Sequence, residues 1–117
     1  MAMIELPEQP GPAESGRIVI RIVADVVSLP HQAADLKREI LEAMQCEACS
    51  RVVLDCSRVR HLSTDGLAVI LAIQKRLTER GGEVRLCHVD PEVEQSLRLC
   101  MLHKIVRIDR TLSDALG

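Results

Sequence analysis

The 117-residue chain contains no phenylalanine, tyrosine or tryptophan. Its interior must therefore be built from aliphatic and sulfur-containing side chains, and no aromatic platform is available on which the bases of single-stranded nucleic acid could stack. Neither sign of charge predominates, because 15 basic residues stand against 17 acidic ones and the formal net charge is −2. The basic surface typical of a nucleic-acid-binding domain is thus absent as well. We therefore expect no nucleic-acid partner.

The chain also lacks an apolar run long enough to cross a bilayer. Its N-terminal segment carries Glu5, Glu8 and Glu14 in place of the basic residues and apolar block of a secretory signal. We therefore expect a cytoplasmic protein without membrane insertion. The length suits one domain with a single core.

Cysteine is present, but its five residues are an odd number in a chain without an export signal, so reduced thiols are expected. Cys46 and Cys49 form a CxxC pair, and Cys100 and His103 form a CxxH pair. Cys46 ends a predicted helix instead of starting one, which argues against thioredoxin-like redox catalysis. Both pairs precede predicted strands and have the chemistry of zinc ligands. Because they are far apart in the sequence, unliganded thiols are favoured, and no metal or cofactor is expected.

The sequence gives no argument for a catalytic or nucleotide-binding site. His61 lies in a polar loop between Asp55 and Asp65, but no nucleophile and base are predicted to converge there. The sequence has no glycine-rich phosphate loop, because its glycine pair, Gly81 and Gly82, is predicted to end a helix. We therefore expect neither enzymatic activity nor ATP binding.

The most informative stretch begins at Arg51. Residues 52–54 form a short continuous apolar run, which is typical of a strand buried on both faces. After a polar loop, a helical pattern begins at Ser63 or Thr64 and stops at the glycines 81–82. The predicted core stripe of this helix comprises Leu67, Ile70, Leu71 and Leu77.

Strands and helices alternate along the rest of the chain. This order predicts an α/β single domain with a mostly parallel sheet of four to five strands, about four helices, and the strand at 17–23 antiparallel at one edge. Residues 1–16, rich in proline and glycine, are predicted to be a flexible tail, and residues 17–117 the domain. Residues 24–27 either form a second short strand or continue the first, and further strands are predicted at 83–89 and 105–108. A helix is predicted to start near Pro30, with Leu36, Ile40, Ala43 and Met44 inside, and another to be capped by Asp90, with Val93, Leu97, Cys100 and Met101 inside. A closing helix is capped by Thr111 or Ser113.

The hydroxyl groups of Ser63 and Thr64 allow two interpretations. A serine or threonine before a helix is commonly an N-cap, whose side chain satisfies a free backbone N–H group. The same N–H groups and the helix dipole would also stabilise a phosphate at this position. The residue types alone favour the N-cap, because caps are common and phosphorylation sites are rare.

Residues 52–71 resemble the core of the STAS domain, which occurs in anti-sigma-factor antagonists and in the tails of sulphate transporters. The matching pattern is a strand ending in Asp55, a short polar loop, the segment Leu62-Ser-Thr-Asp-Gly-Leu67, and an apolar helix. The later segments agree in kind and spacing, so the resemblance extends over residues 17–116. It implies the STAS architecture, which agrees with the predicted alternation of strands and helices.

By this resemblance, the chain is expected to be an anti-sigma factor antagonist that regulates sigma-factor-dependent transcription. The unmodified form would bind an anti-sigma factor with kinase activity and free a sigma factor. In antagonists of this partner-switching type the phosphorylated hydroxyl lies two residues before the glycine, a position occupied here by Thr64. Phosphorylation there would release the partner, and a phosphatase would reset the switch. The expected partner-binding residues are Arg58, Arg60, His61, Leu62, Ser63, Thr64, Asp65, Gly66 and Leu67.

Two residues depart from the pattern of the antagonists. Ser63 stands where many of them have aspartate, and Asp65 occupies a position usually filled by serine or alanine. The carboxylate of Asp65 would favour the helix dipole but would repel a phosphate on Thr64. A constitutive, unphosphorylated interaction subunit of a stress-signalling or lipid-transport complex therefore remains an alternative. A metal-binding regulator is a further one, a hydrolase is the weakest, and a homodimer is left open.

Overall fold

The computed structural model describes residues 2–11, 16–45 and 49–117. Its strands are β1 (Ile4–Glu5), β2 (Arg17–Ile22), β3 (Val26–Val27), β4 (Arg51–Asp55), β5 (His61–Leu62), β6 (Glu83–Cys87) and β7 (Arg107–Ile108). Its helices are α1 (Pro30–Ala43), α2 (Thr64–Thr78), α3 (Pro91–Leu99) and α4 (Leu112–Leu116), with a 3₁₀ turn at Leu102–Lys104.

Five strands form the main sheet in the order β1-β2-β4-β6-β7, and β3 pairs with β5 in a separate two-stranded sheet. All neighbouring strands of the main sheet are parallel except β1, which runs antiparallel to β2 at the edge. The predicted α/β class, the mostly parallel sheet and the antiparallel edge strand are thus confirmed. The edge strand is not the one at 17–23, however, because that segment is β2 and lies parallel to β4 inside the sheet.

The antiparallel edge strand lies within the segment predicted to be a flexible tail. Ile4 pairs with Ile22 and Glu5 with Arg21, and the backbone N–H of Met3 donates to the Glu39 carboxylate at 2.9 Å. The fold therefore includes residues before the predicted boundary at residue 16. A two-residue strand is too short to give a periodic sequence signal, and the prolines that follow it are typical of a loop.

The main core lies between the sheet and helices α1, α2 and α3. Val52 and Leu54 of the central strand β4 point into this core, whereas Val53 points to the opposite face, where it packs with Val19, Cys87 and Ala115 beneath α4. The prediction that residues 52–54 form a strand buried on both faces is confirmed. The sheet is thus covered by three helices on one face and by one short helix on the other.

Three arginines on neighbouring strands fasten α4 to that second face. Arg17 of β2 donates to the carbonyl oxygen of Leu116 at 3.0 Å, and Arg51 of β4 donates to that of Gly117 at 3.1 Å. Arg85 of β6 donates to the carbonyl oxygens of Ala115 at 3.1 Å and Gly117 at 2.7 Å. Positive charge at a helix C-terminus is favourable because the last carbonyl groups carry the negative end of the helix dipole.

Helix α2 buries Leu67, Ile70 and Leu77 as predicted, but Leu71 is 42% exposed. Successive residues of an α-helix are rotated by about 100°, so the position after Ile70 lies beside the buried stripe. The stripe is completed by Val69 and Ile73 instead, and both are buried.

The helix predictions on either side of α2 hold in part. Leu36 and Ile40 of α1 and the C-cap residue Met44 are buried, and Ala43 is half-buried. In α3, Val93 and Leu97 are buried and Asp90 caps the helix by accepting a hydrogen bond from the N–H of Glu92 at 3.0 Å.

The predicted inner face of α3 is wrong beyond Leu97. Cys100 and Met101 are exposed, because the helix ends at Leu99 and Met101 adopts a left-handed conformation with φ 61°. The 3₁₀ turn at Leu102–Lys104 follows, and the predicted strand at 105–108 is reduced to Arg107 and Ile108. Ile105 is 52% exposed. The closing helix begins as predicted, since Thr111 accepts a hydrogen bond from the N–H of Asp114 at 3.2 Å.

Candidate functional site

The junction between β5 and α2 is held by backbone hydrogen bonds. The N–H of Ser63 donates to the carbonyl of Val27 at 2.8 Å, which ties the junction to β3. The carbonyl of Ser63 accepts from the N–H of Leu67 at 2.9 Å and so begins the helix. These bonds fix the first turn of α2 at the carboxyl side of the parallel strands, the edge at which open α/β sheets present functional groups.

Thr64 is the first residue of α2 and is exposed. Its hydroxyl therefore lies at the positive end of a 15-residue helix dipole, where the first backbone N–H groups have no partner within the helix. Asp65 follows as the second helical residue and is also exposed. The structure thus presents one hydroxyl and one carboxylate to solvent in the same helical turn.

Ser63 occupies the N-cap position with an extended backbone, at φ −75° and ψ 177°. The predicted position of the helix start is confirmed, but the predicted cap hydrogen bond is not made by this side chain. Its Oγ is buried and has no hydrogen-bond partner within the described parts of the chain. The first turn of α2 therefore receives no acceptor from Ser63, in contrast to the caps that Asp90 and Thr111 provide for α3 and α4.

The apolar residues of the predicted binding stretch are buried beneath the junction. Leu62 and Leu67 are only 4% and 6% exposed. Gly66 is buried as well and packs closely against Leu62 and Val27, since an added Cβ would lie 3.0 Å from Leu62 Cδ2 and 3.4 Å from Val27 Cγ1. Their side chains contribute to the core, so the accessible part of the stretch consists of its polar residues.

The basic residues before the junction are exposed. The backbone of the loop is fixed, because the N–H of Arg60 donates to the carbonyl of Asp25 at 2.7 Å. The Arg60 side chain pairs with Asp90 at 3.2 Å between Nη1 and Oδ2. Arg58 and His61 are likewise at the surface. The accessible side of the junction therefore carries both signs of charge, with Asp65 on the helix and Arg58 and Arg60 on the loop, and His61 of β5 lies between them in the sequence.

The exposed face of α2 continues the surface from Thr64. Ala68, Leu71 and Lys75 follow it at helical spacing and are exposed. Beside them, a groove of about 200 Å³ separates α1 from α2 and is lined by Pro30, Ala33, Ala34, Lys37, Asp65, Ala68, Val69 and Ala72. Threonine, a carboxylate and small apolar groups thus form one continuous surface.

The zinc-ligand pairs considered from the sequence are not assembled in the described residues. Cys46 lies outside them, Cys49 is buried and Cys100 is exposed. The ligand atoms of Cys49, Cys100 and His103 do not form a close group there. His103 has a buried Nδ1 that lacks a partner among the described residues.

A different polar cluster lies at the ends of β4 and β6. Asp55 accepts from Arg21 Nε at 3.1 Å and from the N–H of Ser57 at 3.0 Å. Burial alone would raise the pKa of Asp55, but these hydrogen bonds outweigh it and hold the pKa below its ordinary value. Burial raises the pKa of the Cys87 thiol to about 12, and the charges of Asp55 and Asp109 add to the increase. No sequence motif marks this cluster, because Asp55 and Cys87 are brought together by the register of β4 and β6.

A model of the STAS domain family matches residues 3–115. The chain belongs to the STAS domain family. The match includes β1, in agreement with the pairing of that strand in the sheet.

Individual proteins of this family resemble the chain over most of its length. The anti-sigma F factor antagonist of Paenibacillus polymyxa is 32% identical over 94 residues, which cover 80% of this chain and 78% of that protein. An anti-sigma-factor antagonist (STAS) domain protein from Planctomyces limnophilus superposes with a TM-score of 0.82 at 21% identity, over 99% of this chain and 96% of the other. The phosphorylated form of the Bacillus cell fate determinant SpoIIAA gives a TM-score of 0.67 at 16% identity, over 97% and 96%. The two structures share the fold of this chain.

The helices of the described residues include none that is long and apolar enough to cross a membrane.

Proposed function

We propose that this STAS domain is an anti-sigma factor antagonist whose binding is switched by phosphorylation of Thr64. The observation that carries the proposal is the exposure of Thr64 on the first turn of α2, on a junction whose apolar neighbours are buried. The resemblance to the antagonist of Paenibacillus polymyxa supplies the class of partner. The unmodified protein binds an anti-sigma factor with kinase activity in the cytoplasm and so frees a sigma factor for transcription.

The switch rests on the charge that phosphorylation adds to an exposed helix terminus. A phosphothreonine carries about −1.5 to −2 charges at neutral pH. The N-terminal N–H groups of α2 favour this charge, whereas the adjacent carboxylate of Asp65 opposes it. The modified turn is therefore strongly negative, and a partner surface fitted to the neutral hydroxyl and the single carboxylate is repelled.

The contact surface combines the exposed polar residues of the junction with the outer face of α2. Arg58 and His61 contribute polar groups, and Leu71 contributes apolar area about two helical turns from Thr64 on the exposed face of α2. Leu62, Gly66 and Leu67 hold the surface in shape from the core. The kinase belongs to the partner, because this chain has no glycine-rich phosphate loop, and a separate phosphatase restores the binding form.

Phosphosite mapping by mass spectrometry on protein from its native host, growing and stressed, tests the modification. We expect a phosphate on Thr64 whose occupancy changes with the growth condition. A Thr64 that is unmodified in every condition would rule out the switch.

Calorimetry with the co-purified anti-sigma factor tests the mechanism. We expect Thr64→Ala to keep the affinity of the wild type and Thr64→Glu to weaken it by tenfold or more. Ser113→Glu is the matched control, since Ser113 is exposed in the first turn of α4 and receives the same charge at a different helix. Equal affinities of the Thr64 variants would contradict the mechanism even if the phosphate is found.

A constitutive interaction subunit is the second candidate, and Asp65 is the observation that favours it. Its exposed carboxylate already supplies negative charge to the first turn of α2. A subunit of this kind would elute in a large, stable assembly on gel filtration of the native extract and carry no phosphate on Thr64.

A further inference from the structure

The carboxyl edge of the sheet brings together three side chains of different chemistry. Strands β4 and β6 are parallel neighbours, and their register places Asp55 opposite Cys87. His88 follows with a left-handed backbone at φ 54°. One ligand atom from each of the three residues lies within 4.8 Å of the others. The ligands of a tetrahedral zinc ion are separated by roughly 3.3–3.8 Å, given metal–ligand distances of about 2.0–2.3 Å, so a movement of about 1 Å would close the set.

We propose that Asp55, Cys87 and His88 form a binding site for a zinc ion. A thiolate, an imidazole and a carboxylate are the three ligand types that zinc takes in proteins, and hard ions such as magnesium do not favour the sulfur. Asp55 and Cys87 are 5% and 0% exposed, so the strands hold them in place. His88 is exposed and gives the ion a path from solvent.

The carboxylate of Asp55 is oriented by its neighbours before any metal arrives. Its Oδ2 accepts from Arg21 Nε at 3.1 Å, its Oδ1 accepts from the N–H of Ser57 at 3.0 Å, and Arg21 is itself paired with Glu5. The two oxygens together offer four lone pairs, so these two bonds and a further one from the Ser57 side chain leave one lone pair for a metal. Carboxylate ligands in metal sites are commonly held by such hydrogen bonds, which fix their direction.

A fourth polar group lies on the next strand. Asp109 follows β7, one residue beyond the pair of Leu86 and Ile108, and its N–H donates to the carbonyl of Leu86 at 2.7 Å. Its side chain is 9% exposed, and Oδ1 is paired with Arg107 at 2.9 Å. Oδ2 is buried and has no partner among the residues that the structure describes. A buried acceptor without a donor is costly, and a cation or a metal-bound water at this edge would satisfy it.

The binding step balances without any oxidant or reductant. The neutral Cys87 thiol loses its proton to solvent as the Cys87 sulfur binds the ion, and the carboxylate and the neutral imidazole bind without further proton loss. The two negative ligands then neutralise the charge of the dication. A bound ion would restrict the motion of the loop that leaves β4 after Asp55 and leads to the junction at Thr64.

Cobalt titration of metal-stripped protein is the direct test, because a thiolate bound to Co²⁺ gives intense near-ultraviolet charge-transfer absorption. We expect one Co²⁺ per chain, displaced by Zn²⁺, and a higher unfolding temperature with Zn²⁺ than without it. Cys87→Ser should abolish the absorption. His88→Asn should weaken cobalt binding by about 100-fold or more, since losing even an outer-shell partner of a metal ligand costs about 10–100-fold. Asparagine tolerates the left-handed backbone at this position.

Cys100→Ser is the matched control, since Cys100 is an exposed thiol with a histidine three residues later and lies outside the proposed site. Its absorption should equal that of the wild type. Absorption that survives Cys87→Ser but disappears with Cys100→Ser would overturn the proposal, and so would a wild type that gives none. If circular dichroism shows that Cys87→Ser is unfolded, the His88→Asn variant provides the test. Unchanged cobalt affinity in that variant would also overturn the proposal.

Discussion

The α-carbon of Gly82 lies against the backbone of Ser50, so that an added Cβ would be 1.9 Å from the Ser50 carbonyl oxygen. The N–H of Glu83 donates to the same carbonyl at 2.8 Å, which shows why the approach is close: here the chain leaves α2 and joins β6 beside β4. The neighbouring Gly81 has a left-handed backbone at φ 75°, and no described atom lies within 4 Å of its Cβ position.

The two glycines should therefore differ in their tolerance of alanine. Gly82→Ala forces the backbone of two strands apart, and we expect it to lower the free energy of unfolding by about 3 kcal/mol, the upper part of the range for overpacking. Gly81→Ala meets only the left-handed backbone, which costs about 1 kcal/mol. Urea denaturation of both variants measures the difference. Equal losses would contradict the close contact with Ser50.

Leu71 is expected to contribute to partner binding and little to stability. Its side chain is 42% exposed on the face of α2 that begins at Thr64. Leu71→Ala should weaken binding of the anti-sigma factor by about fivefold or more, the loss typical of an energetically important interface residue.

Leu99→Ala provides the control for Leu71, because Leu99 is 76% exposed at the end of α3. We expect its affinity to stay within twofold of the wild type. Calorimetry gives the affinities, and thermal unfolding verifies that both variants are folded. A larger loss of affinity in Leu99→Ala than in Leu71→Ala would contradict the placement of the contact surface on α2.

Cys100 should be the fast-reacting thiol of the described residues. It is exposed, whereas Cys49, Cys56 and Cys87 are buried, and burial raises the pKa of the Cys56 thiol well above its ordinary range. In a Cys46→Ser background, a disulfide reagent such as 5,5′-dithiobis(2-nitrobenzoate) should modify one thiol rapidly in native protein. Adding Cys100→Ser should remove that phase. A rapid phase that persists would mean that one of the three buried thiols opens to solvent.

Arg85 is expected to be the strongest fastening of α4. It is 6% exposed and donates to two carbonyl groups at the end of that helix. Arg85→Met keeps most of the aliphatic volume but removes hydrogen bonds from a charged donor, so we expect a loss of about 2–3 kcal/mol.

Arg98→Met is the matched control for Arg85. Arg98 is exposed and pairs with Glu94 one turn away, at 3.6 Å, an arrangement worth about 0.5 kcal/mol or less. Hydrogen exchange should accelerate in α4 for the Arg85 variant and stay unchanged there for the Arg98 variant. Unaltered exchange in both would show that apolar packing alone holds the helix.

Much of the fold could be predicted because its signals are local. The apolar run at 52–54, the glycine stop after α2 and the cap at Asp90 each depend on adjacent residues, and each is confirmed. Strand β1 was missed because two residues carry no periodicity. The exposed Met101 was missed because the left-handed turn that ends α3 occurs at a residue type that rarely adopts it.

The features of the candidate site were likewise predictable where they depend on local sequence and not where they depend on tertiary packing. The helix start at Ser63 followed from the pattern, but the burial of its hydroxyl without a partner, and the backbone bond of Ser63 to the distant strand β3, did not. The cluster of Asp55 and Cys87 was likewise invisible, because it arises from the register between two strands and not from spacing along the chain.

The arginines that hold α4 also determine how the domain would respond to mechanical load. Arg17, Arg51 and Arg85 belong to three adjacent strands, and all of them bind the last carbonyl groups of the same helix. Force applied at α4 would therefore load β2, β4 and β6 together before it reached the edge strand β7, which precedes α4 in the chain. The contacts of α4 with these three strands should therefore break together, and the separation of β7 from the sheet edge should follow.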